Sequence, residues 1–139
     1  MTISFDAPAH GQSPGKQTMM PHFIAACHEL ADAYGGFDVA IGHSLGGMSL
    51  LNAVKDGLSL RKLVVIGTGD SITEITLEFV RELGMKERVA HKMKAYFDRN
   101  HHGDLDELSA SRAAKEVKVP TLVIHDTDDR DVKVHCAYR

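Results

Sequence analysis

The chain reads as an α/β domain built on a mainly parallel sheet of about four strands. Three observations predict this. Apolar runs of four to six residues recur at Thr2–Phe5, Phe37–Gly42, Leu63–Ile66 and Pro120–His125. Stretches with helical spacing of apolar residues lie between the runs. Glycine-rich turns, at Gly35-Gly36, Gly57 and Gly67-Thr68-Gly69, punctuate the switches between the two periods. Short apolar strands separated by helices predict a parallel sheet covered on both faces. Such sheets bind ligands beyond the carboxyl ends of their strands, so chemistry is to be sought just after each strand.

The elements follow in order. Thr2–Phe5 is the first predicted strand, stopped by Asp6-Ala7-Pro8-Ala9-His10-Gly11, and loop continues to Lys16 with Ser13-Pro14-Gly15 as punctuation. Thr18 is placed to cap a helix that tolerates Pro21 in its first turn. Phe23, Ile24, Cys27, Leu30, Ala31 and Tyr34 form the apolar face of that helix, and Gly35-Gly36 ends it. The Phe37–Gly42 strand runs straight into a helix with Met48, Leu51 and Val54 in register, stopped at Gly57. After the Leu63–Ile66 strand, Ser71 with Glu74 reads as a capping box. It opens a helix through Ile75, Phe79 and Leu83, closed by Gly84. A further helix runs from Lys86 to about Asn100, with Val89, Met93 and Phe97 on one side. Asp104 with Glu107 repeats the capping pattern before a short helix to about Glu116. The last strand, Pro120–His125, is followed by Asp126, Asp128, Asp129 and Asp131.

Composition narrows the function classes. With 139 residues, 43% of them hydrophobic and 25% charged, the chain is sized for one core. A formal charge of −3 gives no electrostatic reason for nucleic acid or an anionic membrane as a partner. No apolar run approaches the roughly 20 residues of a membrane span, and the first residues carry no secretory pattern. Two cysteines, Cys27 and Cys136, make no disulfide framework and have no metal-ligand spacing, so a reducing, cytoplasmic setting is expected. Cys27 lies on an apolar helix face and reads as inert core, and the Met19-Met20 pair as helix-entry packing. Gly67-Thr68-Gly69 reads as a plain turn, because a phosphate loop would need glycine where Ile72 stands. His101-His102-Gly103-Asp104 lacks a partner ligand at helical or strand spacing, so no metal and no cofactor is expected.

The sharpest signal is Gly42-His43-Ser44-Leu45-Gly46-Gly47. An apolar strand enters it and an amphipathic helix leaves it, the setting of a nucleophile elbow. So sharp a turn strains the serine backbone, and Gly42 and Gly46 are expected to keep Cβ atoms out of the crowded corner. The Ser44 hydroxyl would stand at the carboxyl edge of the sheet. The helix start behind it offers unpaired N–H groups and the positive end of its dipole, so the Leu45 N–H is placed to meet a developing oxyanion.

These residues resemble an α/β-hydrolase in three stretches and in the right order. Ser4-Phe5-Asp6-Ala7-Pro8-Ala9-His10-Gly11-Gln12-Ser13 is similar to the family's strand and loop ahead of the elbow. Gly42 to Gly47 is similar to the elbow. Pro120-Thr121-Leu122-Val123-Ile124-His125-Asp126-Thr127-Asp128-Asp129 is similar to the strand and turn presenting the acid of a catalytic triad. The resemblance implies Ser44 as nucleophile and Asp129 as the acid that orients a histidine base, with Asp126 and Asp131 as lesser candidates. It also implies a small helical cap over about residues 71–103 within a single domain, 1–139. The implied activity is hydrolysis of carboxylic esters through an acyl-enzyme, with a small-molecule acyl substrate.

Three departures are as informative. The family places its histidine after a further strand beyond the acid, and only ten residues follow Asp129. His135 lies close after the acid, His43 leaves its strand on the side away from Ser44, and His10 sits in a bordering loop; none is placed as the base. The family's earlier strands are also missing. One of them supplies the second oxyanion donor and lies between Thr2–Phe5 and Phe37–Gly42, so a gap with unpaired strand edges, prone to self-association, is expected. Lys133 and Asp126 stand where the family often has proline and glycine. The expectation is an internal segment of a serine hydrolase, weak or inactive alone; the alternative is an inactive scaffold, an interaction module or a gene remnant.

Overall fold

The structure is a computed structural model and describes residues 1–101 and 103–139. His102, in the dismissed metal motif, lies outside the described residues.

Helix α1 (Met20–Tyr34) has Pro21 in its first turn, where no intrahelical N–H is lost. Its cap is Met19 rather than Thr18, whose hydroxyl instead lies 3.3 Å from His22 Nδ1. At the other end Gly35 takes the left-handed conformation (φ 80°), and Gly36 N–H bonds Ala31 O at 2.7 Å. Strand β1 (Val39–His43) leads into helix α2 (Leu45–Lys55), and β2 (Lys62–Ile66) follows. Helices α3 (Ile72–Glu82) and α4 (Arg88–His101) form a hairpin before a 3-10 turn (Leu105–Leu108) and the short helix α5 (Ala110–Ala114). Strand β3 (Thr121–Ile124) and a second 3-10 turn (Val134–Tyr138) complete the order.

The sheet is parallel, in the order β1-β2-β3. Gly42 pairs with Val65, which pairs with Val123; Ile41 pairs with Val64, which pairs with Leu122. Thr2–Phe5, expected as a strand, is irregular: none of the described residues offers it a ladder, and an extended run without paired N–H and C=O groups is no strand. The sheet therefore has three strands rather than about four. The loop after it is held by its own side chains, with Asp6 Oδ2 accepting the Gln12 N–H at 2.9 Å and Asp6 O accepting the Ser13 hydroxyl at 2.6 Å.

One face of the sheet carries the core. Leu63 and Val65 pack with Met48, Leu51 and Ala53 of α2, Met20, Ile24 and Cys27 of α1, and Ala110 and Ala113 of α5. The opposite face is open. Val39, Ile41, Leu122 and Ile124 are exposed there, so the expectation of helices on both faces is not met among the described residues. Helices α1, α2 and α5 contribute buried side chains to this core, and Ile72 at the start of α3 packs against it.

Buried Asn52 ties the layers together. Its Nδ2 donates to Met48 O at 2.9 Å within α2 and to Leu108 O at 2.8 Å across the fold. The single short helix expected up to Glu116 is divided, because Ser109 is extended (φ −61°, ψ 144°). There Ala110 N–H bonds Asp70 O at 3.0 Å and Ser111 N–H bonds Asp70 Oδ1 at 2.9 Å, so α5 starts on an anchor outside its own sequence. In the hairpin, Ser71 caps α3 by accepting the Glu74 N–H at 3.1 Å. Lys94 of α4 reaches Asp98 at 2.8 Å and Asp104 at 2.6 Å.

Candidate active site

The junction of β1 and α2 is the strained point of the chain. Ser44 has φ 51° and ψ −120°. Among the described non-glycine residues, Ala9 alone shares a positive φ. Such a conformation costs on the order of 1–3 kcal/mol and persists only where its surroundings impose it. Here Ser44 N–H bonds Ile66 O at 2.9 Å, while Ser44 O accepts the N–H of Gly47 at 3.0 Å and of Met48 at 3.3 Å. The serine is thus clamped between the end of β2 and the first turn of α2. The N–H groups of Leu45 and Gly46 have no partner among the described residues, as the start of a helix requires.

The glycines divide differently from expectation. A Cβ at Gly42 would stand 2.6 Å from Gly46 O, so Gly42 is required. A Cβ at Gly46 would meet nothing within 4 Å, whereas one at Gly47 would overlap the Thr68 hydroxyl. The close approach is therefore between the backbone at Gly47 and Thr68, a tertiary contact with no local sequence signal. Thr68 Oγ1 itself is buried with no hydrogen-bond partner among the described residues.

Ser44 and Leu45 open into a cavity of about 400 Å³. Its apolar wall comes from Met48 and from Ile72, Ile75 and Phe79 of α3. Glu74, Glu78, Glu82 and Asp131 also line it, so the cavity is apolar with an acidic border. Helix α3 thus supplies one wall of the space in front of Ser44.

Asp129 follows β3 in a tight turn. Its Oδ1 accepts the N–H groups of Asp131 and Val132, each at 2.9 Å. The Val132 N–H bond is the main reason its carboxyl stays below the ordinary aspartate value; the Asp131 N–H adds to it, and partial desolvation opposes both. Its Oδ2 remains open to a second partner and lies 3.7 Å from His125 Nε2. That nitrogen is already engaged with Val132 O at 2.8 Å, and the imidazole is buried. A Cβ on Gly67 would lie 3.5 Å from both Asp129 Oδ2 and His43 Nε2, so both side chains border this glycine. Asp126 is occupied otherwise, its Oδ1 accepting the Asp128 N–H at 2.9 Å.

The structure therefore brings Ser44, Leu45 and Asp131 to one cavity, and Asp129, His43 and His125 to a neighbouring place. No histidine hydrogen-bonds the Ser44 hydroxyl among the described residues. His10 stacks edge-on against Phe23 at 5.4 Å, with its Nδ1 3.0 Å from Pro8 O. His135 lines the cavity, but its Nε2 is 2.7 Å from Glu74 Oε1. The grouping of Glu74 with His135 escaped the sequence reading because 61 residues separate them.

No protein-family model and no curated protein matches the chain. Solved structures do. One is described as an extracellular α/β-hydrolase from a Paenibacillus species with structural and functional homology to tobacco salicylic acid binding protein 2. It aligns with a TM-score of 0.57 at 11% identity, over 92% of this chain and 66% of its own. Another, described as a thermophilic esterase, aligns with a TM-score of 0.52 at 23% identity, over 94% of this chain and 62% of its own. The chain thus spans less than two thirds of the length of either. At these identities the likeness shows the fold: a partial α/β-hydrolase sheet with its flanking helices.

Proposed function

We propose that the chain is the elbow-bearing portion of a serine hydrolase that cleaves carboxylic esters through an acyl-enzyme. The observation that carries this reading is the positive φ of Ser44 at a strand-to-helix corner facing an apolar cavity. Strain of that kind concentrates where function requires it, and Gly-x-Ser-x-Gly in that setting is the elbow pattern. In this reading Ser44 Oγ attacks the ester carbonyl. The Leu45 N–H stabilises the oxyanion, and the acyl-enzyme is then hydrolysed by water. Asp129, with one oxygen fixed by two backbone N–H groups, orients an imidazole that takes and returns the proton. Partners are small acyl substrates, and no cofactor enters the reaction.

One observation favours the rival reading of an inactive scaffold: the absence of a histidine on the Ser44 hydroxyl among the described residues. Exogenous imidazole separates the two. A correctly placed general base contributes roughly 10²–10⁴ in rate, so its absence leaves the chain no faster on short acyl esters than its Ser44→Ala variant. Added imidazole is expected to raise turnover about tenfold or more in the wild type and to leave Ser44→Ala at the rate of imidazole alone. Equal rates for both proteins at every imidazole concentration would establish the scaffold reading. Fast turnover without imidazole, lost in Ser44→Ala, would mean that a resident histidine serves as the base.

A further inference from the structure

We propose that Glu74, His135 and Cys136 form a binding site for a borderline-soft divalent cation, Zn²⁺ foremost, at the border of the cavity that holds Ser44. The site is independent of the esterase reading. Glu74 stands in the first turn of α3, while His135 and Cys136 are consecutive in the 3-10 turn Val134–Tyr138. One donor atom from each lies within 4.8 Å of the other two. Sequence spacing could not show this, because the carboxylate arrives from a helix 61 residues earlier than the imidazole.

The donor set selects the ion. A thiolate and an imidazole disfavour Mg²⁺ and Ca²⁺, which take oxygen ligands, and suit Zn²⁺. Tetrahedral Zn²⁺ with bonds of about 2.0–2.3 Å holds its donors roughly 3.3–3.7 Å apart. Glu74 Oε1 and His135 Nε2, now 2.7 Å apart, would separate by less than about 1 Å to admit the ion. The carboxylate is also aimed from behind: Arg139 Nη1 donates to the other oxygen, Oε2, at 2.8 Å. Orientation of a ligand by an outer hydrogen bond is the usual support of such sites.

Charge favours the same conclusion. Arg139 bridges Glu74 and the nearly buried Asp70, whose Oδ2 lies 2.9 Å from Nη1. Two carboxylates against one guanidinium leave a net negative charge, and ionisation of Cys136 doubles it. A dication neutralises the group. Binding forms one bond each to oxygen, nitrogen and sulfur; the Cys136 S–H proton is released to solvent, the Nε2 proton that His135 donates to Glu74 is exchanged through solvent for one on Nδ1, and no oxidation state changes. All three residues line the cavity. The ion would fasten the Val134–Tyr138 turn to α3 and so fix one wall of the space in front of Ser44.

Co²⁺ titration of the reduced full chain tests this. One equivalent is expected to produce the thiolate-to-cobalt charge-transfer absorption and intense visible bands of a tetrahedral site, both erased by Zn²⁺. Cys136→Ser removes the charge-transfer band, while Cys27→Ser, a change in the α1 core, keeps it. Glu74→Gln and His135→Ala weaken Zn²⁺ binding by more than the roughly 10- to 100-fold typical of losing an orienting partner. Far-UV circular dichroism of each variant without metal checks its fold. No thiolate band in the wild type, or a band that survives Cys136→Ser, would overturn the site.

Discussion

Leu63 and Val64 follow one another on β2 and point to opposite faces of the sheet. Leu63, in register with Ala40 and Thr121, faces α2 and is 1% exposed. Val64, in register with Ile41 and Leu122, belongs to a face where Ile41 is 67% exposed and Leu122 57%. Both faces carry apolar side chains, and they differ in what lies over them. Hydropathy makes burial possible; a neighbour at van der Waals distance makes it stabilising. The stabilisation that the sheet contributes therefore rests on one of its sides, the side that also positions Ser44 through α2.

The largest effect is expected from Leu63→Ala. It empties volume between β2, α2 and α1, and core truncations of this kind cost about 2–5 kcal/mol. Urea unfolding followed by far-UV circular dichroism should show the midpoint fall with little change in slope. An unchanged midpoint would mean that the covered face is not the core of the folded chain in solution.

Next comes Asn52→Ala, which tests the polar tie of the covered side. The substitution removes the bond to Leu108 O and leaves that carbonyl without its partner in a part-buried place. A loss of about 1–3 kcal/mol is expected. Amide hydrogen exchange should localise the loosening to α2 and the Leu105–Leu108 turn. A loss spread evenly over the chain would instead place Asn52 in the general core.

The same contrast explains what the sequence disclosed. Apolar runs and glycine punctuation located β1, β2, β3 and all the longer helices, because those elements follow from local periodicity. The corner at Ser44 was legible too, since Gly42 and the serine are consecutive parts of one local motif. The parts that escaped are non-local. Thr2–Phe5 has the composition of a strand, but a strand is defined by its partner. The close approach at Gly47 depends on Thr68, and the division at Ser109 depends on Asp70. Asp129 could be ranked among four aspartates only by the resemblance; its two backbone N–H donors become visible once the turn is folded. The meeting of Glu74 with His135 and Cys136 joins two stretches about 60 residues apart, and no pattern in either stretch announces it.

The smallest expected effect is the most discriminating. Ile41→Ala and Leu63→Ala remove side chains of the same atomic composition from adjacent strands of one sheet. Ile41 is exposed in the folded chain, so its truncation should change stability by no more than about 0.5 kcal/mol. The ratio of the two losses then measures how unequal the faces are, free of differences in chemistry. Measured side by side in urea, a Leu63→Ala loss several times that of Ile41→Ala is the expected result. Comparable losses would mean that the Ile41 face is covered in solution. In that event repeating the pair at tenfold lower protein concentration decides the source: an Ile41→Ala loss that shrinks on dilution comes from contact between chains, and one that does not comes from within the chain.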